Sequence, residues 1–285
     1  MAEVLSDPLV SSVWLAERLG DADVVVLDAT WFMPGSPRNA KAEFAERHIP
    51  GAGFFDIDAV ADHATRLPHM LAAPADFAVA ARRLGVSAAS TVVAYDGLGM
   101  FSAPRLWWSF RAMGHEAVFV LDGGLPKWLA EGRPIETGWR GRPRGEFKAR
   151  PAPALIRDLE QVRRIVATGA EQIIDARPAE RFAGAAPEPR AGLRSGHMPG
   201  ARSVPFTDLV GENGTLAPVA DLRGAFEAAG VDLAAPIVTS CGSGISAAVL
   251  ALALARLGRD DVALYDGSWT EWAGRGDTPV VVGAA

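Results

Sequence analysis

The chain repeats itself, and that repetition limits its possible folds more than any other feature. VVVLDA (24–29) returns as QIIDA (172–176), and HIPGA (48–52) returns as HMPGA (197–201). VVAYDGLGMFSA (92–103) aligns with IVTSCGSGISAA (237–248), and LDGGLPKW (121–128) aligns with YDGSWTEW (265–272). The four matches occur in the same order at offsets of 144–149 residues, so the sequence reads as a tandem duplication of one domain. A chain of 285 residues holds two such domains and a joint.

The joint runs from Gly132 to Pro153, a stretch rich in Pro, Gly and Arg with no apolar period, which reads as a semi-extended linker. The expected division is residues 1–138, a linker at 139–156, and residues 157–285. Within each half, short β-branched runs alternate with helical stretches. The runs are Val24–Leu27, Thr91–Ala94 and Val118–Leu121, then Gln172–Ile174, Ile237–Thr239 and Val262–Tyr265. The helical stretches include Ala75–Leu84, Leu106–Met113, Asp221–Ala229 and Ile245–Leu257. Such alternation predicts an α/β fold twice over, each copy a mostly parallel sheet flanked by helices.

Composition narrows the class of function. Hydrophobic residues make up 49% and charged residues 22%, which is globular. A net charge of -6 argues against nucleic-acid or anionic-membrane partners, both of which require a basic face. The opening MAEVLSDPLV is acidic, without the Arg-flanked apolar core of a secretory signal. The apolar stretch Ile245–Leu257 is shorter than the ~20 residues of a membrane span. One cysteine excludes an internal disulfide or a cysteine-based zinc site, and the five histidines lack metal-binding spacing. A cytoplasmic chain without metal or cofactor is expected.

That single cysteine sits where open parallel sheets place their chemistry, in the loop after a strand and before a helix. In Cys241-Gly242-Ser243-Gly244 the glycines let backbone N–H groups converge on one point, and the next helix adds its positive end. Both effects favour thiolate over thiol. In the first copy Asp96 stands in the same place, within Asp96-Gly97-Leu98-Gly99. A carboxylate is no sulfur nucleophile and repels an anionic substrate, so the first copy is expected to be catalytically silent.

These residues resemble the two-domain rhodanese-family sulfurtransferases, specifically the 3-mercaptopyruvate branch. The most specific piece is Cys241-Gly242-Ser243-Gly244-Ile245-Ser246-Ala247, against the branch's usual Cys-Gly-Ser-Gly-Val-Thr-Ala. The thiosulfate branch reads Cys-Arg-Lys-Gly, and neither basic residue is present here. The resemblance implies tandem rhodanese-like domains with the active site between the halves and no cofactor. It implies that Arg181 and Arg190 bind the substrate carboxylate, a task suited to the planar guanidinium fork. It also implies that Asp58 and His69 work with Ser243 on the proton that leaves the substrate thiol or reaches the enolate. Gly242, Gly244, Ile245 and Ser246 complete the implied substrate-binding loop. His48 and His197 precede Pro-Gly turns in both copies, which favours a structural role. Trp31, Trp107 and Trp269 fit either a cleft lining or the core.

The expected reaction is sulfur transfer from 3-mercaptopyruvate through a Cys241 persulfide to an external thiol, thioredoxin or cyanide, with release of pyruvate. An internal acceptor is excluded because no second cysteine exists. The alternatives are thiosulfate:cyanide transfer and a non-catalytic rhodanese-like binding module, against which the intact loop speaks. A cysteine phosphatase needs an arginine six positions after the cysteine, where this chain has Ala247.

Overall fold

The computed structural model describes residues 7–139 and 141–284; the first six residues, Arg140 and Ala285 lie outside the described residues. The chain divides into two compact units. Unit 1 comprises residues through Ala61, then Ala72–Pro151 and Glu212–Leu216; unit 2 comprises Asp62–Leu71, Ala152–Gly211 and Ala217 onward. Segment 62–71 therefore belongs to the unit built mainly from the second half of the sequence.

Unit 1 contains strands β1 (Leu9–Val10), β2 (Val24–Asp28), β3 (Gly53–Phe54), β4 (Thr91–Tyr95) and β5 (Val118–Leu121). All pair in parallel, in the order β1-β5-β4-β2-β3. Its helices are α1 (Ser12–Arg18), α2 (Ala40–Glu46), α3 (Pro74–Arg83), α4 (Ala103–Ala112) and α5 (Gly124–Ala130). Unit 2 repeats the plan with β6 (Ile156–Arg157), β7 (Gln172–Asp175), β8 (Arg202–Ser203), β9 (Ile237–Ser240) and β10 (Ala263–Tyr265), ordered β6-β10-β9-β7-β8 and again all parallel. Its helices are α6 (Leu159–Thr168), α7 (Ala179–Phe182), α8 (Val219–Ala228), α9 (Ala247–Arg256) and α10 (Ser268–Gly274). The duplicated α/β architecture expected from the repeats is thus present.

The sequence explains these elements. The inner strands β2 and β9 are buried along their whole length, because a parallel sheet is covered on both faces. The edge strands β1, β3, β6 and β8 have two residues each, which leaves little edge open for foreign pairing. Asp158 and Gln161 form a reciprocal capping box at the start of α6, and Gly169 closes that helix in a left-handed turn.

Several boundaries differ from the sequence reading. Strands β2, β4, β7 and β9 each continue one residue further, through Asp28, Tyr95, Asp175 and Ser240, because these polar ends are buried at the top of the sheet. Helix α4 starts at Ala103 rather than Leu106, with Pro104 in its first turn, where a missing N–H does no harm. Helix α9 starts at Ala247 rather than Ile245, since residues 241–246 form the loop around the sulfur. The Pro-Gly-Arg joint also carries an anchor that its composition hides. Phe147 is buried against Phe77, Phe110 and His115 in unit 1.

The repeated histidines serve as braces in both copies. His48 Nδ1–H donates to Phe44 O at 2.7 Å while its ring stacks on Phe44. His197 Nδ1–H donates to Phe182 O at 2.9 Å and stacks on Phe182. Trp31, Trp107 and Trp269, which the sequence fits to either a cleft or the core, are all buried. Among the described residues, no helix is long and apolar enough to cross a membrane.

Candidate active site

Cys241 follows β9, a central strand of unit 2, and is buried. The loop after it wraps around the sulfur: the N–H of Gly244 points at Sγ from 3.1 Å. Gly244 has φ +83, a left-handed conformation that glycine takes without strain and that lets the chain double back. The loop carbonyls are turned elsewhere. Cys241 O accepts from Trp269 N at 2.9 Å, and Gly242 O accepts from Thr270 N at 2.9 Å and Thr270 Oγ1 at 2.6 Å. With these oxygens bound by the start of α10, the loop presents N–H to the sulfur. Cys241 N is itself held by Ser268 Oγ at 3.3 Å.

Two cations stand over this loop. A Cβ placed on Gly242 would lie 3.3 Å from Arg181 Nη2 and 4.0 Å from Arg190 Nη1, so the space left bare by glycine is occupied by guanidinium groups. Arg190 Nη2 also lies 3.4 Å from Ser243 Oγ and 3.5 Å from His69 Nε2, both at long hydrogen-bond reach. Arg181 is pinned from behind by Glu188. The second oxygen of Glu188 accepts from Arg177 Nη1 at 2.7 Å. Arg177 is buried and locked on Asp175 by Nε and Nη2, with its guanidinium 4.2 Å from the centre of the Trp269 ring. A buried chain of alternating charges thus fixes Arg181, and each buried charge in it has an opposite partner.

The sequence-expected residues fall as follows. Cys241, Ser243, His69, Arg181, Arg190, Gly242 and Gly244 gather within unit 2 around this loop. Ile245 is a buried apolar residue, and Ser246 stands at the N-cap of α9. Asp58 belongs to unit 1, where its Oδ2 accepts Trp31 Nε1–H at 2.9 Å. Sequence reasoning missed Arg177, Glu188 and Ser268. Ser268 carried a signal in the repeat: Gly124 of LDGGLPKW becomes Ser268 of YDGSWTEW. Both have a left-handed backbone, at φ +51 and +50, which is unusual for a residue with a side chain. Among the described residues, no group of three or more His, Cys, Asp or Glu could hold a metal ion.

The matching loop of unit 1 is occupied differently. Asp96 is fully buried; Oδ1 accepts from Leu98 N at 2.8 Å, and Oδ2 accepts from Phe101 N, Ser102 N and Ala103 N at 2.8–2.9 Å. The nest that serves a sulfur in unit 2 is therefore filled here by the chain's own carboxylate. Asp28, the counterpart of Asp175, has Thr30 where Asp175 has Arg177. Without that cation, burial pushes the Asp28 carboxyl up to about 6, with Asp96 adding to the rise and hydrogen bonds from Thr30 and Tyr95 opposing it.

Comparison with known proteins agrees with this architecture. The rhodanese-like domain family matches residues 11–131 and again 158–275. The 3-mercaptopyruvate sulfurtransferase of Escherichia coli K12 is 46% identical, over 95% of this chain and 96% of its own. Thiosulfate/3-mercaptopyruvate sulfurtransferase 2 of Arabidopsis thaliana is 44% identical, over 97% of this chain and 87% of its own. The crystal structure of SseA from Escherichia coli, a 3-mercaptopyruvate sulfotransferase with the rhodanese fold, superposes with a TM-score of 0.85 at 44% identity. It covers 92% of this chain and 99% of that one. Two matched domains and relatives of this identity, aligned nearly end to end, place the chain in the rhodanese family.

Proposed function

We propose that the chain is a sulfurtransferase that takes sulfane sulfur from 3-mercaptopyruvate and passes it to an external thiol. One observation carries this reading: a buried cysteine whose Sγ faces a loop N–H, with two guanidinium groups over Gly242. The Cys241 thiolate attacks the substrate sulfur, an S–S bond forms, and the C–S bond breaks with its electron pair left on carbon. The resulting pyruvate enolate takes up a proton, which the substrate thiol supplies in net balance. Ser243 and His69, both beside Arg190, are the groups placed to move that proton. Loop N–H groups hold the persulfide, as preorganised donors hold developing charge elsewhere. A thiol then takes the outer sulfur and regenerates Cys241. Reduced thiols are abundant in the cytoplasm, which suits that setting; thioredoxin is one acceptor of the required chemistry.

Donor choice follows from where the positive charge lies. Thiosulfate is a compact dianion that gains from basic side chains carried by the loop itself, whereas Gly242 and Ser243 offer a bare backbone and a hydroxyl, and the guanidinium groups over Gly242 reach in from residues 181 and 190. Mercaptopyruvate carries its carboxylate two carbons from the sulfur, which suits arginines that approach from outside the loop, as Arg181 and Arg190 do. Mercaptopyruvate should be used at least tenfold more efficiently than thiosulfate, equivalent to roughly 1.4 kcal/mol of differential transition-state binding. Parallel donor assays test this, together with intact mass after donor alone, where a gain of one sulfur marks the persulfide. Equal or better use of thiosulfate would overturn the donor assignment. No mass gain with either donor would leave a binding module.

A further inference from the structure

The two copies can be read against each other at the segment that brings His69 into unit 2. Leu71 N–H donates to Asp266 Oδ2 at 2.7 Å. In unit 1, Leu216 N–H donates to Asp122 Oδ1 at 2.9 Å. Asp122 and Asp266 are repeat counterparts in LDGG and YDGS, and Leu71 and Leu216 lie 145 residues apart, within the range of offsets that relates the two copies. Each unit therefore uses the aspartate after its β5 or β10 strand to grip the peptide of a short segment from the other half of the sequence.

The residue two before the gripped leucine differs. In unit 1 it is Gly214, at φ +75, where an added Cβ would lie 3.1 Å from Gly99 Cα. In unit 2 it is His69, which keeps the left-handed backbone at φ +59 while carrying a bulky ring. Such a conformation is rare for a residue with a side chain, and it persists only where the surroundings hold it. Two bonds do so: Asp62 N–H donates to Met70 O at 2.9 Å, closing the segment on itself, and Asp266 holds the next peptide. The same turn, two residues on, supplies Ser268, whose Oγ holds the Cys241 N–H.

We propose that Asp266 is a positioning residue: by gripping the Leu71 peptide it sets the His69 ring beside Arg190 and Ser243. This deepens the reading above and rests on its assignment of His69. In this role Asp266 acts through His69.

The test compares kcat and KM for mercaptopyruvate in Asp266→Ala, Asp266→Asn, His69→Ala, the double variant Asp266→Ala/His69→Ala, and Asp122→Ala, with hydrogen exchange at the Leu71 amide. Asp266→Ala should lower kcat about tenfold or more and expose the Leu71 amide. Asp266→Asn should restore most of kcat, because an amide oxygen still accepts from Leu71. In the His69→Ala background, Asp266→Ala should change kcat less than about twofold, since the two act as one unit. Asp122→Ala should leave kcat unchanged. If Asp266→Ala does not fold, Asp266→Ser, too short to reach the peptide, takes its place. Wild-type kcat in Asp266→Ala beside an impaired His69→Ala would overturn the positioning role alone. Wild-type kcat in His69→Ala would overturn the proton role of His69 and this proposal with it. An additive loss in the double variant would show that Asp266 acts elsewhere.

Discussion

The Asp96 loop of unit 1 offers a measurable consequence of the duplication. Asp96→Ala removes a buried carboxylate that four backbone N–H groups share: those of Leu98, Phe101, Ser102 and Ala103. A hydrogen bond to a charged group contributes ~1.5–3 kcal/mol, and an unsatisfied buried donor costs ~1–3 kcal/mol. Four such bonds do not add, because water can enter the vacated space and satisfy two or more donors. Losing Asp96 also relieves its repulsion of Asp28, which offsets part of the loss. The expected net is destabilisation of unit 1 by about 3–5 kcal/mol, the range seen when one partner of a buried charged network is removed. Asp96→Asn, which keeps one acceptor oxygen, should fall between. Urea unfolding followed by tryptophan fluorescence measures the change, with sulfur transfer assayed per folded molecule below the transition. Transfer at Cys241 should persist. A loss below about 1 kcal/mol in Asp96→Ala would refute the view that the carboxylate fills the nest. Abolished transfer in the folded variant would refute the silence of unit 1.

Other substitutions probe the remaining links. Cys241→Ser should fold and lose transfer with every donor, because a serine alkoxide is inaccessible near neutral pH; residual sulfur transfer in a donor assay would contradict it. Removing Arg181 or Arg190 should lower kcat/KM for mercaptopyruvate about ten- to a hundredfold, the equivalent of one charge-assisted bond of ~1.5–3 kcal/mol, and wild-type kinetics in both would move the carboxylate site elsewhere. The raised carboxyl of Asp28 means the native state holds a proton that the unfolded chain releases between pH ~3.8 and about 6. Its contribution is therefore favourable at low pH, falls as pH rises through that window and is flat above it, a total of about 3 kcal/mol. Asp28→Asn should remove this decline, visible as a rise in melting temperature relative to the parent that grows from pH 4 to 6.5.

The Asp28 case also shows how far the amino-acid sequence reaches. The tandem α/β organisation, the strand cores and the cysteine loop were legible because they rest on local signals. A fully buried parallel strand must be apolar, a loop that turns N–H groups inward must contain glycine, and a duplication leaves matched words at one offset. Asp96 could be recognised as no nucleophile from its chemistry alone, and Arg181 and Arg190 were placed by the resemblance to a family. What their environment does was not legible. The four N–H groups on Asp96, the Asp175–Arg177–Glu188–Arg181 chain, and the joint's buried Phe147 depend on residues brought together only by folding. The same holds for the left-handed backbone of His69 and Ser268, because a φ angle against local preference is imposed from outside the segment. Asp266 and Leu71 stand 195 residues apart, and no periodicity relates them. The sequence alone determined which residues can react and where turns and strands form. Tertiary structure decided which charges are neutralised and which peptides are held, because burial and hydrogen bonding act through space and give a side chain its chemical character only once its neighbours are fixed.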